Sequence, residues 1–170
     1  KDLILLMMTI SDNTATNVLI GLLGMEDVNN LGKELGLKGT ILQRKMMDFE
    51  AAKKGRQNLT IPSDLVKLME MLYRNEILTP AACQEMLKIM STNVSRDFMI
   101  RDLPVDIKCA HKPGELDRIN HDIGIIYTPN CDYILGIFAT DLKDNILGRN
   151  YVAQLSKGIF DHMVKVGGLK

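Results

Sequence analysis

The sequence predicts an α+β fold: a helical lobe, then a small antiparallel sheet, then one closing helix. Three observations predict it. Up to about Met90, apolar residues recur at helical spacing and are broken by Gly, Asp and Thr-Pro punctuation. From Asp106 to Thr140, three short β-branched or apolar runs are separated by turn chemistry. From Asn150 to Val166 the helical period returns. Helices segregated from strands along the chain are the mark of α+β architecture. The 170 residues suffice for one core and fall short of two, so residues 1–170 are read as a single domain. Within it, residues 1–100 form the helical lobe and 101–170 the sheet and last helix.

Asp2 to about Ile10 reads as a short helix. Asp12 or Asn13 then caps a second one running through Val18, Leu19, Ile20, Leu22 and Leu23 to Gly24, because their side chains accept from free N–H groups at a helix start. Met25 to Leu35 gives a third, stopped at Gly36. Between residues 39 and 58 the period is lost, and the stretch reads as a long loop with one helical turn at most. A loop of that length in a small domain is usually functional or disordered. Thr60 to Asn75 is an amphipathic helix with Ser63 as the expected cap and Leu65, Leu68, Met69 and Leu72 on one face. Thr79-Pro80 opens the next, with Pro where no N–H partner is needed. The strands are expected at Asp106–His111, Gly124–Thr128 and Tyr133–Thr140, with "GELDRINHD" and "TPNCD" as turns. The last helix carries Val152, Leu155, Ile159, Phe160 and Met163 on its apolar face.

Composition removes several classes of function. Lys+Arg and Asp+Glu are 21 each, so no long-range field favours nucleic acid. The longest apolar run, Leu3 to Met8, is too short to cross a bilayer. The chain opens at Lys1 inside a hydrophobic segment, which reads as a processed or truncated product. Cys83, Cys109 and Cys131 lie far apart without a C-x-x-C and read as buried or free thiols. Cys109, His111 and His121 are the nearest approach to a zinc set, but no further ligand pair has metal spacing, so neither metal nor cofactor is expected. The methionines at 7, 69, 71, 86 and 90 fall within apolar helical patterns and read as core filling.

Two polar motifs remain. Ser11-Asp12-Asn13 interrupts an apolar stretch; alone it is a plain helix cap. Lys112-Pro113-Gly114 follows the strand "VDIKCAH"; alone it is a turn, although a Pro there asks for an explanation. Together, about a hundred residues apart and in this order, they match the S-D-N and K-T-G signatures of active-site-serine enzymes. "MMTISDNTATNVLI" and "AHKPGELDRINHDIGIIY" resemble the interdomain helix junction and the substrate-binding strand of the class A β-lactamase and penicillin-binding protein family. The resemblance runs over essentially the whole chain.

The resemblance implies a β-lactamase/transpeptidase-like fold and acyl-enzyme chemistry on β-lactam or D-alanyl-peptide-type amides. It implies that Ser11 relays a proton to the leaving nitrogen and that Lys112 supplies a cation beside Ser11 and the substrate. Asn13 would donate to the substrate's acylamide carbonyl, and Asp12 would serve structure. Pro113 and Gly114 would line the substrate strand, and the backbone N–H of Glu115 would form half of an oxyanion hole. The substrate would pair with this strand as an added edge. The implied setting is extracellular or periplasmic, with a secreted or membrane-anchored parent of bacterial type.

Three departures shape the expectation. No Ser-x-x-Lys occurs in the 170 residues, so the chain reads as the C-terminal part of a serine hydrolase and should not acylate by itself. Residues 39–58 match the family's omega loop, where an Arg, one residue and then a Glu are expected. Here Arg44 is followed by Lys45-Met46-Met47, and a Met cannot act as a base. That favours a peptidase-like relative, or a sensor or non-catalytic ligand-binding module of the same fold, over an efficient β-lactamase. Pro113 replaces a Thr or Ser and so removes a hydroxyl. A charged hydrogen bond is worth ~1.5–3 kcal/mol, so affinity for carboxylate ligands should fall about tenfold or more. Truncation also implies bare apolar faces, to be covered by another copy, an exchanged segment or a complementing N-terminal chain.

Overall fold

In the computed structural model, which describes residues 1–167, α1 (Asp2–Ile10) stops at Ser11, whose φ of 56° is left-handed. Asp12 turns the chain back into α2 (Asn13–Leu23) by accepting the Ala15 N–H at 2.6 Å. Gly24, at φ 81°, separates α2 from α3 (Met25–Glu34). The stretch read as a loop holds one short helix, α4 (Phe49–Lys53), and is followed by α5 (Pro62–Tyr73) and α6 (Pro80–Met90). Strands β1 (Lys108–Leu116), β2 (Ile119–Tyr127) and β3 (Tyr133–Ala139) form a meander in the order β1-β2-β3, and α7 (Asn145–Gly167) closes the described chain.

The expected boundaries need four corrections. Ser63 does not cap α5: Pro62 takes the first helical position after Ile61, and no side chain caps the start. The first strand begins at Lys108, because Pro104 to Ile107 is held in a turn by the Ile107 N–H donating to the Pro104 carbonyl at 3.1 Å. "GELDRINHD" is mostly strand, with a turn of only Asp117-Arg118 and Arg118 left-handed at φ 59°. Its polar residues read as loop because their partners are distant in sequence: Glu115 takes Arg149, and Asp122 takes His111. Finally, α7 starts five residues before Asn150, at Asn145, whose side chain accepts from Arg118 N–H and donates to the Leu116 carbonyl.

The sheet separates two cores. On one face Ala110, Ile123 and Ile125 pack on Met69 and Leu72 of α5 and Cys83 and Leu87 of α6. On the other, Cys109 and Ile126 pack on Val152 and Phe160 of α7 and on Phe98, Met99, Ile100 and Leu103. The period-2 alternation of a strand sends successive residues to opposite cores. On α7 the buried face is Val152, Ala153, Ser156 and Phe160, whereas Leu155, expected inside, is exposed.

The loop at 39–58 is tied down by side chains bonding to backbone. Asn17 exchanges two hydrogen bonds with Met46, Asn29 does so with Leu42, and the Asn58 carboxamide serves Gln43 and Arg44. Asp64, buried in the first turn of α5, accepts from Lys38 N–H, Gly39 N–H and the Thr40 hydroxyl. Burial alone would raise its carboxyl, but these three donors outweigh that effect and hold it below the ordinary carboxylate value.

Candidate active site

The Ser11 knuckle exists because α1 and α2 meet at an angle that a left-handed residue must turn. Asp12 is consumed in capping α2, so Ser11 and Asn13, both exposed, are left facing outward. Across from them stands Lys112 on β1. Its ammonium donates to the Ser11 hydroxyl and, at 2.7 Å, to the Pro113 carbonyl. The structure thus joins two side chains 101 residues apart. They share a groove of about 590 Å³ whose lining includes Ser11, Asn13, Lys112, Pro113, Gly114 and Glu115. All six residues singled out in the sequence meet in one groove.

The pairing of β1 with β2 says what its backbone offers. Leu116 and Ile119 close a two-residue turn, and such a closing pair is hydrogen-bonded. Alternation then makes Glu115–Asn120 and Pro113–Asp122 non-hydrogen-bonded pairs, with N–H and C=O groups turned away from β2. That direction is the free edge of β1, an edge strand among the described residues. Pro113 therefore sits where its missing N–H interrupts no ladder bond, and its carbonyl is free for Lys112. Glu115, two residues on, presents its N–H to the same open edge.

Electrostatically the groove is sparing. Burial pulls the Lys112 ammonium below the usual lysine value, partly opposed by the charge of Asp122. The Glu115 carboxylate is gripped by Arg149, with Nε to Oε2 at 2.8 Å and Nη2 to Oε1 at 2.7 Å, and Asn120 Nδ2 adds a third bond at 2.8 Å. Arg149 is the main reason that this carboxyl is held below its ordinary value. Behind β1, His111 Nδ1 lies 3.1 Å from both oxygens of Asp122, which also accepts the Met99 N–H; both side chains are buried.

Sequence reasoning missed Phe98 and His121 in the lining, which also includes Met46, the residue read at the loop step where a Glu is expected. Met46 comes from the long loop, held by Asn17. His121 pairs with Gly114 on one side and Phe138 on the other, and its ring stacks on Phe138 at 4.6 Å and 30°. The strand register of "RINHD" was the signal that could have found it. The same register separates the weighed zinc set. His121 shares the face of Gly114 and Lys112, whereas Cys109 and His111 point to the opposite face. Asp48 and Glu50 do not line the groove: Asp48 caps α4 by accepting the Ala51 N–H at 2.9 Å, and Glu50 pairs with Lys53 at 2.9 Å.

The chain as a whole finds its match in known proteins. The sequence profile described as the beta-lactamase enzyme family matches residues 1–163. The chain belongs to that family. A β-lactamase from Sphaerobacter thermophilus DSM 20745 is 28% identical, with a TM-score of 0.84, over 99% of this chain and 63% of its own. PBP-A is 30% identical, with a TM-score of 0.86, over 96% of this chain and 61% of its own. The TLA-3 extended-spectrum β-lactamase is 25% identical, with a TM-score of 0.88, over 96% and 64% respectively. A variant of PBP-A has been solved as an acyl-enzyme complex with penicillin G. The chain spans about three fifths of the length of these β-lactamase-family relatives, and its α+β architecture is part of their fold.

Proposed function

We propose that this β-lactamase-like chain forms the proton-relay and substrate-strand part of a serine acyl hydrolase acting on β-lactam or D-alanyl-peptide-type amides. One observation carries the reading: the Lys112 ammonium donates to the Ser11 hydroxyl across a groove floored by an unpaired strand edge. Acyl transfer from an amide needs a proton delivered to the leaving nitrogen. A hydroxyl bonded to a cation is suited to relay one, because the cation stabilises negative charge developing on the oxygen. Asn13 and the Glu115 N–H are placed to hold an extended substrate along β1. The nucleophile belongs to a Ser-x-x-Lys segment that residues 1–170 do not contain.

The test is fluorescent penicillin labelling of the full-length protein beside residues 1–170 alone. We expect the full-length protein to label, Ser11→Ala to slow labelling by roughly 10²–10⁴-fold, the usual range for a lost proton-transfer group, and residues 1–170 to stay dark. Labelling of residues 1–170, or equal rates for wild type and Ser11→Ala, would overturn the proposal.

A second reading, a penicillin sensor, is favoured by Met46. The loop contributes an apolar side chain to the groove, while Asp48 is spent on capping α4. With no carboxylate there to activate water, the acyl-enzyme should persist; label lost within minutes would exclude this reading. The same account assigns the apolar groove of about 430 Å³ among α1, α2, α3 and α6 to covering chain, either a complementing segment or a second copy. Residues 1–170 behaving as a strict monomer with cooperative thermal unfolding would count against that.

A further inference from the structure

We infer that the cavity of about 470 Å³ between the start of β1, the C-terminal half of α6 and the loop that follows α6 is a binding site for a phosphate monoester. It lies apart from the groove of Ser11 and Lys112, with only Asn93 lining both, and the inference stands independently of the acyl-transfer reading.

The charge around this cavity has one sign. Lys88 is contributed by α6, Arg96 by the loop and Lys108 by the first residue of β1, and no carboxylate is in the lining. None of the three cations makes an ion pair among the described residues. The phenol and the thiol that share the lining stay uncharged at neutral pH. Burial pushes the Tyr127 hydroxyl up to about 12. Burial also pushes up the Cys109 thiol, with the charge of Asp122 adding to it and that of Arg96 opposing it. In a chain with 21 basic and 21 acidic residues, three uncompensated cations on one cavity make a local field for an anion.

His111 lines the same cavity at 2% exposure, yet its Nε2 has no hydrogen-bond partner. Buried polar atoms are normally bonded, so a bare one marks where an incoming group gains a bond. Asp122 fixes the ring: its ionised carboxylate only accepts, so Nδ1 holds the proton and Nε2 a lone pair. An oxygen of a fully ionised carboxylate or sulfate meets that lone pair unfavourably. A phosphate monoester differs, because its second ionisation lies at about 6 and its remaining proton can sit between its oxygen and Nε2. Its other oxygens are left to accept from Lys88, Arg96 and Lys108, which line the cavity from three elements. Asp122, on the other side of the ring, stabilises the positive charge that the imidazole gains. Leu87, Ile100 and Ile107 give apolar wall, and the volume exceeds what a bare phosphate fills, so an organic body is accommodated.

The test is titration of the full-length protein with phenyl phosphate in phosphate-free buffer, followed by calorimetry and by the nitrogen NMR signal of the His111 ring. Saturable binding is expected, with the Nε2 signal moving from that of a bare nitrogen towards that of a protonated one. Arg96→Gln and Lys108→Gln, at exposed positions where the fold should not be disturbed, are each expected to weaken binding at least about fivefold, the scale of one lost charged hydrogen bond. Phenyl sulfate and benzoate are expected to bind at least about tenfold more weakly than phenyl phosphate. No binding, an affinity that both variants leave unchanged, or a His111 signal unmoved at saturation overturns the inference. Inorganic phosphate binding as tightly as phenyl phosphate overturns the monoester assignment. Sulfate or benzoate binding equally well overturns the proton-sharing role of Nε2.

Discussion

The two walls of the groove are built differently. Lys112 stands on a strand whose neighbour, β2, has six of its nine residues buried, between two cores that include the fully buried Ile125, Ile126, Met99 and Val152. Ser11 stands between α1, which buries no residue, and α2, which buries only Ala15 and Ile20. Leu5, Leu6, Leu22 and Leu23 are exposed on that side, and Leu23 lines an apolar groove there. The sheet wall is therefore preformed, whereas the helical wall is held by the Asp12 cap, by Asn17 on the loop, and by Asn93 Nδ2 and the Val94 N–H donating to the Met8 and Thr9 carbonyls. Groove geometry on the Lys112 side should survive surface change; on the Ser11 side it should depend on whatever covers the lobe.

Breaking the sheet wall should have the largest effect. Ile125→Ala leaves a cavity between β2 and the α5–α6 pair and should cost about 2–5 kcal/mol, measured by urea denaturation. Leu22→Ala, at a side chain 72% exposed, should change stability by less than about 0.5 kcal/mol. Comparable losses at the two positions would erase the contrast between the walls.

Next in size is the loop anchor. Asp64→Ala strands the N–H groups of Lys38 and Gly39 and should cost about 1–3 kcal/mol. The sign of the pH effect follows from the carboxyl being held below its ordinary value in the fold. Its contribution is complete above the unfolded value and disappears as pH falls through the lowered folded one. Asp64→Asn should therefore flatten the acid limb of the stability curve, and an unchanged limb would show that Asp64 is not the anchor.

The smallest expected effect is at Lys112. Because burial lowers its ammonium value in the fold, Lys112 binds fewer protons folded than unfolded between the lowered value and the ordinary 10.5. Stability should rise slightly with pH across that window, while ligand capture that needs the charged form should fade there. Lys112→Met should remove both trends; a titration of binding that keeps its alkaline limb in Lys112→Met would assign that limb elsewhere.

Much of the fold was legible because its signals are local. Gly24 and Gly36 stop helices, Pro62 and Pro80 start them, and apolar spacing separates the helical lobe from the β-rich half. What misled was polarity taken as loop. "GELDRINHD" is charged because Glu115 meets Arg149 thirty-four residues away and Asp122 meets His111 across the hairpin, partners that both lie outside the stretch itself. Ser63 misled for a similar reason: it has capping chemistry, but Pro62 had already fixed where the helix begins.

By itself the sequence determined the order of elements, the two polar motifs and the absence of a carboxylate at the expected step of the loop, since each depends on residue type at fixed spacing. Only tertiary structure decided that Ser11 and Lys112 touch, that Pro113 lies on a free edge, and that Arg149 is turned onto Glu115. Those outcomes depend on register and on partners tens of residues apart, where packing of two cores against one sheet sets distances that no local propensity encodes.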